Sequence, residues 1–386
     1  MKEGWTYKKL GEVCVVISGQ SPDGKSYNSE GKGIPFYQGK KEFTIKYIGN
    51  PTTWTSEETK IALKDDILMS VRAPVGDINF ATQRACIGRG LAAIRPNAMI
   101  DKDYLFYFLL SEKNNIKGKE GAVFPSINRK EIMDISISYP IISEQQRIVF
   151  RLDSAFAHID ELKANAEKQL SEARALFQKA LTKAMEPKEG WEEKKIREIS
   201  LIKGGKRVPQ GYKLETEKTD YPYIRVADFT DEGTIDLSDI HYINNSVYQQ
   251  IKNYTITDKD IYISIAGTIG KSGIIPSCLN GANLTENACK LVLNGGIEQR
   301  YVYWFTKSDE FKGQISLATR QTSQPKLALT RLAEVCISLP PLTEQRRIVS
   351  RLDSLSAHVR ELEEVLQKTI AECDALKQAL LRKVFE

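Results

Sequence analysis

One segment of the chain has the residue types and the spacing of a phosphate-binding loop. Residues 19–26 read GQSPDGKS, which matches GxxxxGK[ST], and an apolar stretch precedes them. Such a loop binds phosphates only when it runs directly into a helix whose N-terminus faces them. The next residues, 27–33, read YNSEGKG and are not expected to begin a helix. We therefore interpret the match as coincidental, and we keep a P-loop ATPase with a coiled-coil arm as an alternative.

No other set of residues in the sequence has the spacing of a catalytic or metal site. There is no HExxH, no GxSxG and no glycine-rich fingerprint of a methyl-donor site, and three histidines leave little scope for general acid–base catalysis. The six cysteines include no CxxC pair, which argues against zinc fingers and a disulfide framework. We predict no catalytic residue and no metal site, and hence a binding protein and not an enzyme.

The composition is typical of a folded chain in a reducing compartment. Apolar residues make up 41% and charged residues 27% of the 386 positions. The longest apolar runs are far shorter than the ~20 residues that span a bilayer, and no signal segment follows the N-terminal charges. We expect a cytoplasmic protein of two to three domains.

The polar loops carry cations suited to double-stranded DNA. Net charge is only +5, but residues 1–142 hold 20 Lys and Arg against 16 Asp and Glu, whereas residues 143–186 and 343–386 are each balanced. Lysine and arginine contact phosphates, and arginine also reads guanine bidentately. Any one of these side chains could instead be an ordinary solvated charge. The candidate DNA-binding residues are Lys25, Lys40, Lys41, Arg72, Arg84, Arg89, Lys206, Arg207, Arg225, Lys271 and Arg320.

An internal duplication organises the chain. Residues 141–163 read IISEQQRIVFRLDSAFAHIDELK and residues 341–363 read PLTEQRRIVSRLDSLSAHVRELE, so residue n of the first copy matches residue n + 200 of the second. Upstream pieces also recur, at smaller offsets: EGW at 3–5 and 189–191, DILMS at 66–70 and DIYIS at 260–264. The long segments have diverged and the short ones have not. The alternative, two tandem copies of a domain without a specialised role, would not explain why only the long segments diverged.

The two short segments are predicted to be long helices. Ser143 and Thr343 are suitable N-caps, and apolar residues then recur at steps of four and three over more than four heptads. The first predicted seam runs from Ile148 and Leu152 through Leu162, Gln169 and Leu176. We predict that the two helices pair with each other, antiparallel and with a pseudo-two-fold axis. Packing of each helix on its own domain alone, or a coiled-coil scaffold without DNA affinity, are the alternatives.

The order of elements and several motifs resemble the specificity subunit of Type I restriction–modification systems. The resemblance rests on EGW at 3–5 with LGEV at 10–13, ILMSVRAPVG at 67–76, IYISIAGTIG at 261–270, and PPLTEQ at 340–345 with IISEQ at 141–145. It covers essentially the whole chain. The first copy departs from the pattern with Ile141-Ile142 where the second has Pro341-Leu342.

The resemblance implies an α+β fold with two mixed α/β target-recognition domains, each followed by a long helix. The domains would be residues 1–142 and 187–342, and the spacer helices 143–186 and 343–386. Each domain would read one half of a split, asymmetric DNA sequence. The helices would dock two methyltransferase subunits, joined by endonuclease subunits, through Glu144, Gln145, Arg147, Glu344, Gln345 and Arg347. S-adenosylmethionine, ATP and magnesium would belong to those partners, with no cofactor in this chain.

Overall fold

A computed structural model of the protein describes residues 4–116, 125–319 and 326–385. Contacts divide the chain into two compact units. Unit 1 comprises Met1–Glu167 and Gln367–Glu386, and unit 2 comprises Lys168–Leu366. Each unit therefore contains one mixed α/β domain and a part of both long helices. The predicted fold class is confirmed.

Unit 1 is built on a four-stranded antiparallel sheet and a second, five-stranded sheet. The first has the order β2-β10-β7-β8, and the second has the order β3-β5-β4-β9-β6, in which β4 and β9 are parallel. β1 pairs with β11 just before the first long helix begins. The elements are β1 (Thr6–Lys9), α1 (Leu10–Val13), β2 (Cys14–Ser18), β3 (Tyr27–Asn28), β4 (Ile34–Tyr37), β5 (Trp54–Thr55), β6 (Ile61–Ala62), β7 (Ile67–Ser70), β8 (Ile78–Phe80), β9 (Ala85–Ile87), β10 (Leu91–Pro96), α2 (Lys102–Glu112), α3 (Arg129–Met133), β11 (Ser136–Tyr139) and α4 (Ile142–Met185).

Unit 2 repeats this plan with different lengths. Its four-stranded sheet has the order β13-β19-β16-β17, a three-stranded sheet has the order β15-β14-β18, and β12 pairs with β20. The elements are β12 (Glu192–Lys195), α5 (Ile196–Ile199), β13 (Ser200–Gly204), β14 (Pro222–Ile224), β15 (His241–Tyr242), α6 (Asn245–Ile251), β16 (Ile261–Ser264), β17 (Ser272–Gly273), β18 (Asn283–Leu284), β19 (Ala288–Leu293), α7 (Gln299–Lys307), α8 (Asp309–Thr319), α9 (Leu329–Ala333), β20 (Cys336–Leu339) and α10 (Leu342–Phe385).

The cores explain why α2 and α7 are apolar on nearly every side. In unit 1, Tyr104 and Leu105 of α2 belong to one buried cluster with sheet residues and with Leu152 and Leu381 of the long helices. In unit 2, Tyr301 of α7 belongs to the corresponding cluster with residues of α4 and α10. A helix covered by a sheet on one side and by two helices on the other has little surface left for polar residues.

The two long helices run antiparallel within each unit. In unit 1, Lys163 of α4 pairs with Asp374 of α10, and Asp160 pairs with Lys377, so residue numbers rise on one helix as they fall on the other. In unit 2, Arg174 of α4 pairs with Glu363 of α10. The antiparallel coiled coil predicted from the heptads is thus present in both units.

The predicted heptad frame is correct at only half of its positions. Leu152, Ile159, Ala166 and Ala173 of α4 are buried as predicted. The intervening positions are wrong: Leu162 and Leu176 are 53% and 67% exposed, and the equivalent Leu362 and Leu376 are 41% and 49% exposed. Instead, α4 packs on the two domains through aromatic residues outside the predicted seam. Phe156 lies against Tyr107, with ring centroids 5.4 Å apart, and Phe177 lies against Trp304 at 5.5 Å.

Both long helices begin earlier than the predicted N-caps imply. They start at Ile142 and Leu342, so Ser143 and Thr343 lie in the first turn and are not N-caps. No helix in the described ranges is long and apolar enough to cross a membrane.

Candidate nucleic-acid interface

Four loops of unit 1 meet at one end of the sheets. In the antiparallel sheet, β2 and β7 end where β10 and β8 begin, because Ser18 pairs with Ala92 and Leu91 pairs with Ser70. The parallel strands β4 and β9 also end there, since the backbone N–H of Gly88 donates to the carbonyl of Tyr37 at 2.8 Å. The loops at this end, which we call the loop end of unit 1, are residues 19–25, 38–41, 71–76 and 88–90.

The same construction gives unit 2 a loop end. It consists of residues 205–208, 225, 265–271 and 285–287, which follow or precede the equivalent strands. The backbone N–H of Lys206 donates to the carbonyl of Leu284 at 2.8 Å, and that of Leu327 donates to Ile265 at 2.8 Å. Loops held by a rigid sheet are suited to recognition, because their side chains vary while their backbone stays in place.

Gly19 has a structural role that explains why the chain resembles a phosphate-binding loop there. A Cβ at Gly19 would lie 2.2 Å from the carbonyl oxygen of Gly88, and a Cβ at the equivalent Gly205 would lie 2.0 Å from that of Thr285. Both glycines let two loops approach closely. The segment continues into a three-residue 3-10 turn and then β3, not into an α-helix. The geometry required for phosphate binding is therefore missing from this segment.

A buried serine fixes one loop at each loop end. The Ser70 hydroxyl is near the carbonyls of Arg72 and Pro74, each at 3.0 Å, and the N–H of Gly76 donates to the Ser70 carbonyl at 2.9 Å. In unit 2, Ser264 contacts the carbonyl of Thr268 in the same way. Gly76 and Gly270 have φ of +89° and +87°, a conformation that favours glycine.

Five of the six predicted cations of unit 1 lie on its loop end. Lys25, Lys41, Arg72 and Arg89 are at least partly exposed, and none has a carboxylate partner among the residues that the structure describes. Lys40 pairs with Asp77, whose other oxygen binds Lys113. Burial would raise the pKa of Asp77, but these two ammonium groups hold it below its usual value.

Arg84 is the exception in unit 1. It precedes β9 and forms a two-point ion pair with Glu58, which lowers the pKa of that carboxyl. The Arg84 backbone therefore lies at the opposite end of β9, and its guanidinium is held by Glu58, whose neighbours Glu57 and Thr59 contact residues 23 and 20.

Three of the predicted cations of unit 2 lie at its loop end. Lys206 lies over the ring of Tyr254 at 5.7 Å, Arg207 pairs with Glu286 at 2.5 Å, and Lys271 pairs with Asp231 at 3.0 Å. Arg320 lies outside the described residues.

Arg225, the fourth predicted cation of unit 2 that the structure describes, is held in place by acidic side chains. Its guanidinium binds the buried carboxylate of Asp228 at 2.6 Å and that of Asp239 at 3.0 Å, and it also contacts His241. A guanidinium that already binds two carboxylates and a histidine, and is only partly exposed, offers a base fewer donors than an exposed, unpaired arginine does.

Sequence reasoning missed several polar side chains of the loop ends because they carry no charge or a negative one. In unit 1 the Gln38 side chain accepts a hydrogen bond from the Ser21 hydroxyl at 2.9 Å. In unit 2, Glu286 and Asn287 occupy the two positions before β19. Burial alone would raise the pKa of Glu286, but hydrogen bonds from Arg207 and Thr285 bring it below the usual value. Glu286 is therefore ionised and can accept hydrogen bonds.

Two of the six predicted docking residues are buried. Gln145 is fully buried and Gln345 is 2% exposed. The Gln145 amide donates to the carbonyls of Pro140 and Met99 at 2.8 and 3.0 Å. These glutamines hold the start of each long helix, and their buried side chains do not reach the surface that a partner would contact.

The other four predicted docking residues form partly exposed ion pairs near the start of each long helix. Arg147 binds Glu144 at 2.6 Å, and Arg347 binds Glu344 at 2.7 Å. They remain accessible to a partner. No group of three or more His, Cys, Asp or Glu that could hold a metal occurs in the part of the chain that is described.

Comparison with known proteins places the chain in a family. A family model described as the Type I restriction modification DNA specificity domain matches residues 2–172 and 188–372. The chain belongs to this family and contains two copies of its domain.

The curated proteins similar to this chain include specificity subunits of type I restriction enzymes. The chain is similar to the putative type I restriction enzyme MjaX specificity subunit of Methanocaldococcus jannaschii, with 42% identity over 176 residues, 45% of this chain and 41% of that protein. It is also similar to the MjaIX specificity subunit of the same organism, with 24% identity over 98% of this chain and 92% of the relative. The EcoDI specificity subunit of Escherichia coli is 24% identical over 99% of this chain and 88% of its own length.

Solved structures have the same fold. A chain from a structural study of complex assembly and conformational transition in a type I R-M system superposes with a TM-score of 0.83, at 20% identity, covering 100% of this chain and 98% of the other. The HsdS subunit from Thermoanaerobacter tengcongensis superposes with a TM-score of 0.60, also at 20% identity, covering 100% and 97%.

Proposed function

We propose that this chain is the DNA-recognition subunit of a Type I restriction–modification complex and that its two loop ends read the two halves of a split target. One observation carries the proposal. Each unit gathers its recognition-capable side chains at a single loop end, built on equivalent strands and held by equivalent glycines and serines. A duplicated, rigid scaffold with diverged loops is suited to reading two different half-sites.

The two half-sites are proposed to differ because equivalent positions carry opposite charges. Arg89 and Glu286 each lie two residues before the first residue of the central strand, β10 or β19. An arginine donates bidentately to guanine, whereas a glutamate accepts from the amino group of cytosine. Gln38 of unit 1 can read adenine, and its equivalent in unit 2 is the immobilised Arg225. The same scaffold therefore presents two different patterns of donors and acceptors.

The surface of the coil is proposed to dock the other subunits. Leu162 and Leu376 in unit 1, and Leu176 and Leu362 in unit 2, are all more than 40% exposed although they are apolar. Exposed apolar groups on a coiled coil that also carries accessible ion pairs are suited to a protein partner. Because the pattern occurs once in each unit, we propose two methyltransferase subunits, one for each unit, with endonuclease subunits joining that assembly.

The chemistry of the complex is assigned to those partners. S-adenosylmethionine would be bound by the methyltransferase, and ATP and magnesium by the endonuclease. This chain would supply sequence recognition and geometry.

Methylation mapping tests the proposal. The chain is expressed with its methyltransferase partner in a host lacking other adenine methylation, and methylated positions are read by single-molecule sequencing. We expect one bipartite, asymmetric motif with a fixed gap. A contiguous motif would refute the assignment of one half-site to each unit. Absence of methylation together with no salt-dependent DNA binding would favour a scaffold, and nucleotide binding by the isolated chain would favour the ATPase.

A further inference from the structure

Ion pairs on the flank of the coil join residues whose charges are reversed between the two copies of the repeat. In unit 1, α4 provides the cation: Lys163 binds Asp374 at 2.7 and 2.8 Å. In unit 2, α4 again provides the cation: Arg174 binds Glu363 at 2.7 Å. The repeat equates residue n of α4 with residue n + 200 of α10. It therefore equates Lys163 with Glu363 and Arg174 with Asp374, so both positions change sign between the copies.

The change of sign matters when a helix meets a copy of itself. If α4 occupied the place of α10 beside another α4, Lys163 would face Arg174. If α10 occupied the place of α4, Glu363 would face Asp374. A second ion pair adds to the repulsion between two copies of α10. Asp160 binds Lys377 in unit 1, and the residue of α10 equivalent to Asp160 is Arg360. Two α10 helices would then also oppose Arg360 to Lys377.

The buried seam has a matching asymmetry of size. Ala166 and Cys373 are buried in unit 1, and Ala173 and Leu366 are buried in unit 2. These four positions are also related by the repeat, with alanine at both positions of α4 and a larger residue at both positions of α10. Two α4 helices would bring only alanines to these layers and leave space between them. Lost packing of this kind destabilises a core.

We infer that the flank charges Lys163, Arg174, Glu363 and Asp374 make α4 and α10 specific for each other and exclude a second copy of either helix from the coil. Charges beside a coiled-coil seam set partner choice more than overall stability. The surface is thus an interaction surface whose accepted partner is the complementary half of the chain. The inference is independent of the DNA-recognition role proposed above.

An exchange of two residues in the full-length chain tests this inference without changing composition or net charge. Within one chain, the variant Lys163→Glu with Glu363→Lys places a carboxylate opposite Asp374 and an ammonium opposite Arg174. Between copies, the new carboxylate faces Arg174 and the new ammonium faces Asp374. We expect its self-association constant, measured by sedimentation over a range of concentrations, to rise roughly tenfold or more over that of the native chain, because the charges now favour pairing between copies. Its melting temperature at low concentration should fall.

A four-residue variant is the matched control. Adding Arg174→Asp and Asp374→Arg restores opposite charges within the chain and like charges between copies, with Asp160 and Lys377 unchanged in both variants. We expect the native association constant and melting temperature to return. If the two-residue variant fails to fold, recovery in the four-residue variant still supports the inference. An unchanged association constant and melting temperature in the first variant, or no recovery in the second, would overturn it.

Discussion

The side-chain oxygen of Gln145 accepts a hydrogen bond at 2.8 Å from the backbone N–H of Asp101, the N-cap residue of α2. Gln345 makes the same contact with the N–H of Glu298, the N-cap of α7, at 2.8 Å. In each unit, one glutamine from the first turn of a long helix thus binds the start of the apolar helix beside it. This buried amide therefore helps to fix the position of each long helix relative to its domain.

We predict that Gln145→Ala lowers the free energy of unfolding of unit 1 by about 3 kcal/mol, because buried donors and acceptors on both sides lose their partners. Chemical denaturation followed by fluorescence measures the change. Glu144→Ala, at the neighbouring and only partly buried position, is the control and should change the unfolding free energy little. Equal effects of the two substitutions would show that the buried amide has no special role.

Substitutions at the loop end of unit 1 should separate base reading from phosphate binding. In the assembled complex, Arg89→Ala or Arg72→Ala should reduce affinity for the target by ~1–3 kcal/mol and relax one position of the motif. Lys41→Ala should weaken binding to all sequences alike and flatten the salt dependence by about one unit. Fluorescence anisotropy at several salt concentrations distinguishes the two effects.

Arg84→Ala is the matched control for these substitutions, since the Arg84 guanidinium is already held in a two-point ion pair by Glu58. It should leave affinity and motif unchanged. If Arg84→Ala has the largest effect of the set, the recognition surface lies elsewhere on unit 1.

Exchange of one domain should change one half of the target. We predict that replacing residues 190–340 with the same region of a relative alters one half of the methylated sequence and leaves the other unchanged, because no loop of unit 1 is touched. Methylation mapping gives the result. Altered specificity in both halves, in an active complex, would contradict independent reading by the two units.

Sequence reasoning predicted the elements better than the contacts between them. Periodicity and the repeat located both long helices, because those patterns are local or are repeated within the chain. The seam positions Leu162 and Leu176 were wrong because the rotation of α4 depends on Phe156 and Phe177 packing against distant aromatic residues. No local pattern encodes that packing.

The site was predicted in part for the same reason. Exposed cations such as Arg72 and Arg89 could be found by charge and loop position alone. Arg225 could not be distinguished from them, because Asp239 and His241, which immobilise it with Asp228, lie 14 and 16 residues further along the chain. Glu286 was missed because a search for cations excludes a carboxylate, although an acceptor is as useful for reading bases as a donor.

Lys307 should make the stability of unit 2 depend on pH. Its ammonium lies in a cleft of about 460 Å³, 5.4 Å from the ring centre of Tyr303. Burial is the main cause that lowers its pKa to about 8; the nearby Lys312 and Lys271 also lower it, while Asp231 and Glu232 raise it. The equivalent position in unit 1 is Leu110, so an apolar side chain fits this place in the fold.

We predict that Lys307→Leu stabilises unit 2 at pH 7 by on the order of 2 kcal/mol, less than the full pKa shift would give because solvent reaches the cleft. Below pH 8 the native chain must keep a charged lysine buried. As pH rises from about 8 to 10.5 the folded state loses that proton first, so the advantage of the variant should shrink. Chemical denaturation at pH ~7 and ~9.5, on either side of the pKa of Lys307 in the folded chain, measures the difference in stability between variant and native chain. The substitution Lys312→Leu, at an exposed position, is the control. A constant difference between variant and native chain would contradict the assignment.

The length of the long helices should set the gap between half-sites. Inserting one heptad after Gln169 and another after Thr369, which are equivalent positions, preserves the phase of both helices. Seven residues add ~10 Å at ~1.5 Å per residue, and one base pair spans ~3.4 Å, so the gap should grow by up to about three base pairs. The half-sites should not change, because no loop end is altered. Methylation mapping of the lengthened chain gives the gap directly. A variant with the insertion in α4 alone is the control, because it places the seam residues out of register and should lose activity. An active variant with both insertions and an unchanged gap would show that the helices dock partners without acting as a ruler.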